Sequence, residues 1–338
     1  MELSVSMEPL DLDGAPVTGV LDLARRVESA GLAGVAFNDH VLRSGGRDGL
    51  DPLVALAGVA AVTTTIELTT SILVVPLRGA AVLAAQCASL DVLSGGRFVL
   101  GTGAGWRADD FAAAEVPLSR RGALTDSTLD RLRHHWSAER TSGDALAAPT
   151  VTPGGPRIRI GGHSDAALRR AVRIGDGWHA SGLTATEVAA SRSRIEELGA
   201  EQGRQPGDVE ITVVRSVAPP GAELRGDLFG PPLGGRGCTA ASVLDDLAEL
   251  AVSGVSGVVL YMPVAAAQLQ PVLDWLAADV VPAAARLGAP HPRTGDRRPS
   301  LGRDPPRRAP GRRPRRGRRR AGGNDRARQS ALADDLTE

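Results

Sequence analysis

The sequence contains no lysine, so its permanent positive charge comes from arginine alone. Cys87 and Cys238 are the only cysteines, which is too few for a disulfide framework or a metal cluster, and we expect two buried reduced thiols and no metal site. No apolar run approaches the roughly 18 residues that a membrane helix needs. The first twelve residues include no basic residue and so lack the positive start of a secretory signal. We therefore expect a soluble cytoplasmic protein.

The net charge of zero hides an uneven distribution of charge along the chain. Residues 291–338 hold 15 Arg against 6 Asp and Glu, which leaves an excess of acidic residues in 1–290. The acidic main body is not typical of a nucleic-acid-binding domain. Arginines of the end segment would suit phosphate groups, but the segment has no aromatic residue for stacking on bases. The sequence disfavours a nucleic-acid partner and would restrict one to this segment.

Short runs rich in β-branched residues alternate with longer stretches of helical periodicity. We predict strands at 3–7, 35–37, 66–75, 97–101, 157–160, 177–180, 209–217 and 255–261. We predict helices at 17–30, 52–63, 80–93, 124–136, 164–174, 184–202, 239–253 and 266–287.

Eight strand–helix units in succession predict an α/β fold with a parallel sheet. Right-handed crossovers bring each strand beside the last, and eight such units close a barrel. A doubly wound sheet, the competing architecture, usually has fewer units in one domain. We predict a single (β/α)8 TIM barrel over residues 1–288. The Arg/Pro/Gly-rich residues 289–338 have no hydrophobic periodicity and are expected to form a disordered basic tail.

In α/β barrels the active site lies at the carboxyl ends of the strands, so the residues that follow each strand are candidates. Asp39 and His40 follow the second predicted strand and would place a carboxylate and a titratable imidazole there. An Asp-His pair in a loop is also common in plain turns. Gly103 and Ala104 follow the fourth strand in a glycine-rich segment, which permits close approach of a flat ligand or simply forms a loop.

The fifth predicted strand is followed directly by a helix, and residues 161–164 connect the two. Backbone N–H groups at the N-terminus of a helix bind anions, and glycines let a phosphate come close. The same pattern is equally consistent with a helix cap and nothing more. The candidate phosphate loop consists of Gly161, Gly162, His163 and Ser164.

Taken together, three segments closely resemble the luciferase-like monooxygenase superfamily. Within it they are most similar to the branch that depends on the deazaflavin coenzyme F-420. The resemblance extends from about Met1 to Leu287 and is most specific around LDVLSGGRFVLGTGAGW. The three segments are LDLARRVESAGLAGVAFNDH, DPLVALAGVAAVTTTIELTTSILVVPLRGAAVLAAQCASLDVLSGGRFVLGTGAGW and IRIGGHSDAALRRAVRIGDGW.

The resemblance implies a barrel whose cofactor ring lies at the carboxyl ends of the strands. It implies a non-prolyl cis peptide bond against the ring at Ser71-Ile72, and the cofactor phosphate on the loop 161–164. Gly103 and Ala104 would lie beside the cofactor. His40 is then the candidate acid or base, and Asp39 a cofactor contact or the group that orients the imidazole.

This resemblance implies hydride transfer between a deazaflavin coenzyme and a small organic substrate, because such a coenzyme exchanges hydride. One alternative is an FMN-dependent monooxygenase that uses oxygen and reduced flavin from a separate reductase. A second alternative is a non-catalytic flavin-binding relative, because fold does not imply function. The family also suggests a homodimer. Arg43, Arg78 and Arg107 could meet the anionic tail of the deazaflavin coenzyme or could be solvated surface residues.

The sequence departs from the family pattern at one position that matters for the substrate. Some deazaflavin enzymes of this kind carry a glutamate acid after Gly-Thr-Gly, whereas this chain has Ala104. Proton donation by that carboxylate is therefore absent, and dehydrogenation of a sugar phosphate by that scheme is not expected. Trp106 and Trp178 follow barrel strands, and their patterns fit a pocket wall and core packing equally.

Overall fold

The computed structural model describes residues 1–7, 18–42, 49–137, 146–217, 219–222, 229–262, 264 and 268–288. The predicted basic tail at 289–338 and the candidate Arg43 lie outside these residues.

Eight parallel strands form a closed barrel, with the third strand in two pieces. Each strand pairs with its neighbour along the chain, and β1 pairs with β9 to complete the ring. The predicted (β/α)8 TIM barrel is confirmed. The strands are β1 (Glu2–Ser6), β2 (Gly34–Phe37), β3 (Glu67–Thr70), β4 (Leu73–Val74), β5 (Phe98–Gly103), β6 (Arg157–Gly161), β7 (Gly177–Ser181), β8 (Glu210–Ser216) and β9 (Gly257–Tyr261).

The third strand differs from the sequence prediction. The β-branched run 66–75 predicts one continuous strand, but the structure has β3 and β4 separated by Ser71 and Ile72, whose peptide bond is cis. Both pieces pair with β5. The interruption lies where the family resemblance places it, whereas hydrophobic periodicity carries no information about it.

Helices cover the outside of the barrel. They are α1 (Thr18–Ser29), α2 (Pro52–Ala60), α3 (Ala80–Ser94), α4 (Ala108–Ala113), α5 (Arg121–Trp136), α6 (Asp165–Arg173), α7 (Ala185–Ala200), α8 (Ala240–Val252), α9 (Leu269–Trp275) and α10 (Val281–Ala284).

Side-chain caps fix where several helices begin. Ser164, Thr184 and Thr239 cap α6, α7 and α8 by accepting hydrogen bonds from backbone N–H groups of the first turn. In the described part of the chain, no helix is both long enough and apolar enough to cross a bilayer.

Two helical predictions need correction. The predicted helix 266–287 is divided into α9, a π-helical segment (Leu276–Val280) and α10, which has Pro282 in its first turn. Proline lacks the N–H that a continuous helix would use. The short helix α4 was not predicted, since its six residues are too few to show a helical period.

The main hydrophobic core lies between the strands and the helices, whereas the inside of the barrel is partly ionic. Arg159 on β6 is almost fully buried there and forms ion pairs with Glu67 on β3 and Glu210 on β8. Arg157 bonds to the same two carboxylates from a more exposed position. Burial opposes the charge of Arg159, but the two carboxylates outweigh it and raise the pKa of the guanidinium. This cluster connects three strands across the barrel.

Replacing Arg159 is therefore expected to destabilise the fold strongly. The Arg159→Met variant takes the buried guanidinium away from two half-buried carboxylates, and breaking such a network costs about 3 kcal/mol or more. The loss can be measured by urea unfolding at neutral pH. The control is Arg25→Met, which removes an exposed ion pair with Asp22 that water screens. Equal losses for the two variants would contradict a structural role of the cluster.

Candidate active site

A cavity of about 440 Å³ opens at the carboxyl ends of the strands. Its volume lies within the range of small-molecule and cofactor sites. Every site residue predicted from the sequence lines it: Asp39, His40, Ser71, Ile72, Gly103, Ala104, Gly161, Gly162, His163 and Ser164. The structure therefore brings the predicted residues together, while their individual roles remain predictions.

The imidazole of His40 is oriented by a carboxylate that the sequence did not point to. His40 Nδ1 lies 3.3 Å from Asp110 Oδ2, and the Asp110 side chain is buried. Asp110 Oδ1 also accepts hydrogen bonds from Leu42 N at 3.0 Å and from Arg107 at 3.4 Å. Since Nδ1 is engaged with Asp110, Nε2 is the ring nitrogen left to meet a ligand. Asp110 lies on α4, the unpredicted helix, and 70 positions along the chain from His40.

The interpretation of Asp39 as the orienting group of His40 is wrong. Asp39 Oδ2 accepts from Val74 N at 2.9 Å, and Oδ1 accepts from Arg78 at 2.8 Å. Burial raises the pKa of Asp39, and Arg78 and the Val74 amide only partly offset this rise. Arg78 also bonds to Asp51, the residue that caps α2. Asp39 thus anchors β4 and Arg78, and its carboxylate is largely occupied.

The side chain of Ile72 fills the space beside two of the predicted glycines. A Cβ at Gly103 would lie 3.0 Å from Ile72 Cδ1, and a Cβ at Gly161 would lie 2.8 Å from Ile72 Cγ2. Both distances are shorter than ordinary van der Waals contact. A larger residue at either position would force the Ile72 side chain to shift, so these glycines have a packing role that does not depend on a cofactor.

The loop between β6 and α6 has the features of an anion site. Gly162 has φ +112°, a backbone region that favours glycine, and Ser164 caps α6 by accepting from Ala167 N. The N-terminus of α6 faces the cavity and carries partial positive charge. Arg121 also lines this end. An anionic group such as a phosphate would be stabilised here.

His163 is held neutral in this loop. Its Nε2 accepts a hydrogen bond from Ser181 N at 3.1 Å, and burial lowers the pKa of the imidazole. It therefore contributes position and not positive charge to the candidate phosphate loop.

A third histidine of the cavity, His179, was missed by the sequence analysis. Its Nδ1 lies 2.7 Å from Thr212 Oγ1 and its Nε2 lies 2.9 Å from Ser71 Oγ, so it connects β7 and β8 to the break in the third strand. Burial and the nearby charge of Arg159 lower the pKa of His179 to about 3, so it is neutral at physiological pH. Alternation along β7 could have revealed it, because Trp178 and His179 point to opposite sides.

The tryptophans and arginines at this face separate into different roles. Trp178 is fully buried and donates to Gly162 O at 2.8 Å, so it packs in the core and supports the phosphate loop. Trp106 lines the cavity and is 78% exposed. Arg78 and Arg107 were candidates for a coenzyme tail, but both are bonded within the protein, to Asp39 and Asp51 in one case and to Leu42 O and Asp110 in the other.

Fold and cavity together define a (β/α)8 barrel with a cofactor-sized site at the carboxyl ends of its strands. The sequence model of the luciferase-like monooxygenase family matches residues 4–220, which is more than half of the chain. The chain belongs to the luciferase-like monooxygenase family.

Relatives in sequence include both characterised and uncharacterized proteins. An uncharacterized protein of Mycobacterium tuberculosis is 30% identical over 220 residues, covering 57% of this chain and 76% of the relative. An F-420-dependent glucose-6-phosphate dehydrogenase of Kribbella flavida is 29% identical over 233 residues, covering 63% of this chain and 70% of the relative.

Solved structures with the same fold include a monooxygenase and a coenzyme F-420-dependent reductase. A monooxygenase from Streptomyces bottropensis has a TM-score of 0.69 and 17% identity, covering 83% of this chain and 99% of that one. The coenzyme F-420-dependent tetrahydromethanopterin reductase of Methanopyrus kandleri has a TM-score of 0.67 and 16% identity, covering 83% and 98%. At these identities the likeness establishes the shared fold.

The neutral state of His179 predicts a pH dependence of stability. An unfolded histidine has a pKa of about 6.5, so at lower pH the unfolded chain takes up a proton that the folded chain does not. This lowers the free energy of unfolding by about 1.4 kcal/mol per pH unit between about pH 6 and pH 3. The His179→Gln variant does not titrate there but keeps polar atoms near Ser71 and Thr212.

Urea unfolding of both proteins at about pH 7.5, 5.5 and 4.5 measures this effect. The stability of the original protein relative to His179→Gln should fall as the pH falls. A difference that stays constant over this range would show that His179 titrates normally in the folded state.

Proposed function

We propose that this protein is a cytoplasmic oxidoreductase that transfers a hydride between the deazaflavin coenzyme F-420 and a small organic substrate. The observation that supports this most directly is the meeting of an oriented imidazole and a glycine-bounded anion loop at one cavity. The sequence relationship to an F-420-dependent dehydrogenase supports the choice of coenzyme. Reduced coenzyme would be supplied or consumed by a separate enzyme.

The residues of the cavity fit such a coenzyme. Gly161 and Gly162 bring the backbone and the N-terminus of α6 to the cavity, where they would hold a phosphate, with Arg121 adding charge. Ser71, Ile72, Gly103 and Ala104 would lie against the ring. When bound, the coenzyme supplies the carbon centre that accepts or donates hydride.

The protein supplies position and a proton. His40 is our candidate acid or base, because its ring lines the cavity and Asp110 holds its orientation through Nδ1. Reduction of a carbonyl would deliver hydride to carbon while Nε2–H of protonated His40 gives its proton to oxygen, and alcohol oxidation reverses both transfers. Asp39 would serve the site by fixing Val74 and Arg78 at its edge.

The substrate of the Kribbella flavida relative is not carried over to this chain. Ala104 stands where related deazaflavin enzymes have a glutamate acid, so the proton must come from another group. A second candidate function is an FMN-dependent monooxygenase, because a monooxygenase shares the fold. The two candidates differ in the coenzyme bound, which makes binding the first experiment.

Equilibrium titration of the purified protein with F-420 and with FMN, each oxidised and reduced, tests the proposal by fluorescence. We expect tight binding of F-420 and negligible binding of FMN. A preference for reduced FMN would replace the proposal with the monooxygenase. Binding of neither would leave a non-catalytic relative.

In protein that binds F-420, the His40→Gln variant isolates the proton transfer step. We expect turnover of bound coenzyme with a panel of alcohols and carbonyl compounds to fall about 10²–10⁴-fold, with little change in coenzyme affinity. The matched control is His134→Gln on α5, which should keep full turnover. Unchanged turnover in His40→Gln would assign the proton to another group.

We further propose that the protein forms a homodimer through α2 and α3. The two helices pack against each other, and they expose no charged side chain, since the single acidic residue of α3, Asp91, is buried. The other helices of eight or more residues in the described ranges carry exposed charges. Large apolar side chains are exposed on this face: Val54, Val82, Val92 and Leu93.

A second copy of the chain is the occupant that best fits this face. An uncharged patch on a soluble protein usually marks an interface, and a two-fold axis would place the patch on itself. Ala57, Gly58 and Ala85 are only partly exposed between the larger side chains, and their small size lets facing helices approach closely.

A single charge on this face is expected to break the dimer. The Val82→Arg variant would bury an unpaired guanidinium in the interface, which is strongly unfavourable. Its matched control is Val252→Arg, because Val252 is also an exposed valine, at the end of α8. Sedimentation velocity should show a monomer for Val82→Arg and a dimer for the control and the original protein. A monomeric original protein would contradict the proposal.

A further inference from the structure

The walls of the cavity differ in chemical character. The side formed by the ends of β2, β5 and β6 carries charged and hydrogen-bonding groups, among them His40, Asp110 and His163. A second part of the lining, at the end of β8, presents Val214 and Phe229, neither of which is charged.

Val214 belongs to a small apolar cluster inside the barrel that is separate from the main core. The cluster consists of Ala36, Val214, Val259 and Tyr261, all buried. Along β8 the side chains alternate, so Val214 faces the inside of the barrel like Thr212, while Val213 packs in the main outer core. The apolar wall therefore continues below the cavity surface.

Phe229 extends this wall to the mouth of the cavity. Its ring packs edge-on against Tyr261, with centroids 4.8 Å apart and planes at 83°. This is a favoured arrangement of two aromatic rings. Phe229 nevertheless remains 41% exposed, so part of its ring is available for contact with a ligand.

The backbone around Phe229 is held at several points. Phe229 N donates to Ser216 Oγ at 2.7 Å, and Leu233 N donates to Ser216 O at 2.8 Å. Arg215 donates to Pro231 O at 2.7 Å and to Leu183 O at 2.9 Å, so its guanidinium connects the loop after β8 to the loop after β7. These hydrogen bonds fix the backbone that carries the Phe229 ring at the mouth of the cavity.

The two loops also meet backbone to backbone through a pair of glycines. Gly230 has φ +69°, and a Cβ there would lie 2.2 Å from Gly182 O, so neither position has room for a larger residue. This close approach fixes the distance between the loops that follow β7 and β8. The position of Phe229 is therefore set by the fold itself.

We propose that Val214 and Phe229 form the subsite for a flat, uncharged, apolar part of the substrate. The inference rests on the proposed function, because it names the substrate class for the same cavity. A charged group placed against Val214 and Phe229 would lose its water without gaining a partner from either side chain, which is costly. A planar apolar group would gain contact with the Phe229 ring and the Val214 methyl groups. The loop 161–164 is left for the coenzyme.

Two ketones that share the same ring and differ by a charged carboxylate test the substrate class. Acetophenone carries a flat uncharged ring, and 4-acetylbenzoate carries the same ring with an added carboxylate. Isothermal titration of each into the full chain, with and without saturating F-420, gives their dissociation constants. We expect acetophenone to bind at least about tenfold more tightly than 4-acetylbenzoate.

Variants locate the binding at the proposed wall. Phe229→Ala should weaken acetophenone binding about tenfold while leaving coenzyme affinity unchanged, and Phe229→Leu should lose less because it keeps the apolar contact. Val252→Ala, remote from the cavity, is the control and should bind as the original protein does. Thermal unfolding of each variant checks that the fold is intact.

The outcomes separate this inference from the proposed function. Equal or tighter binding of 4-acetylbenzoate, no binding of acetophenone, or acetophenone binding that does not depend on Phe229 would each overturn the assignment of the substrate class. Absence of F-420 binding together with Phe229-dependent binding of acetophenone would overturn the proposed coenzyme but support the apolar subsite. F-420 binding with a preference for the charged ketone would leave the proposed function standing and remove the subsite.

Discussion

The interior of the barrel is organised around the charge of Arg159. Two carboxylates on opposite strands hold this buried guanidinium, and its field adds to burial in keeping the neighbouring His179 neutral. The uncharged imidazole then reaches across the barrel to Ser71, where the third strand breaks. Beyond Ser71, the side chain of Ile72 fills the space left by two glycines and shapes the floor of the cavity. These contacts link the buried ion cluster to the floor of the cavity through His179, Ser71 and Ile72.

The lining of the cavity combines charged and hydrogen-bonding groups with an apolar surface. A helix N-terminus, an arginine and an imidazole–carboxylate pair favour anionic and proton-exchanging groups. The aliphatic and aromatic side chains of Val214 and Phe229 favour groups that water excludes. A reaction between a phosphate-bearing coenzyme and an apolar substrate needs both surfaces within one site. The loops that follow β7 and β8 hold the aromatic part of the second surface in place.

The alternation of strands and helices was readable from the sequence because each element buries one face, and a buried face leaves a periodic signature. The break at Ser71 and Ile72 leaves no such signature, and only family resemblance predicted it. Asp39 and His40 are adjacent in the chain, yet the Asp39 carboxylate accepts hydrogen bonds from Val74 and Arg78 instead. The partner of His40, Asp110, is distant in sequence and lies on a helix too short to be recognised. Phe229 and His179 belong to no sequence motif. Their roles depend on contacts with residues that are distant in the chain and that only the closed barrel brings together.

Closure of the barrel has a consequence for how the molecule is made. The last strand pairs with the first, joining Glu2 to Gly257 and Val5 to Leu260 across almost the whole described chain. During synthesis β1 gains β2 as a neighbour early, but its other edge stays uncovered until β9 emerges from the ribosome. Uncovered strand edges pair readily with other chains, and contacts over such sequence distances form slowly. A chain that stopped before Gly257 would leave one edge of β1 and one edge of β8 unpaired, so the five residues of β9 remove two edges that could recruit other chains.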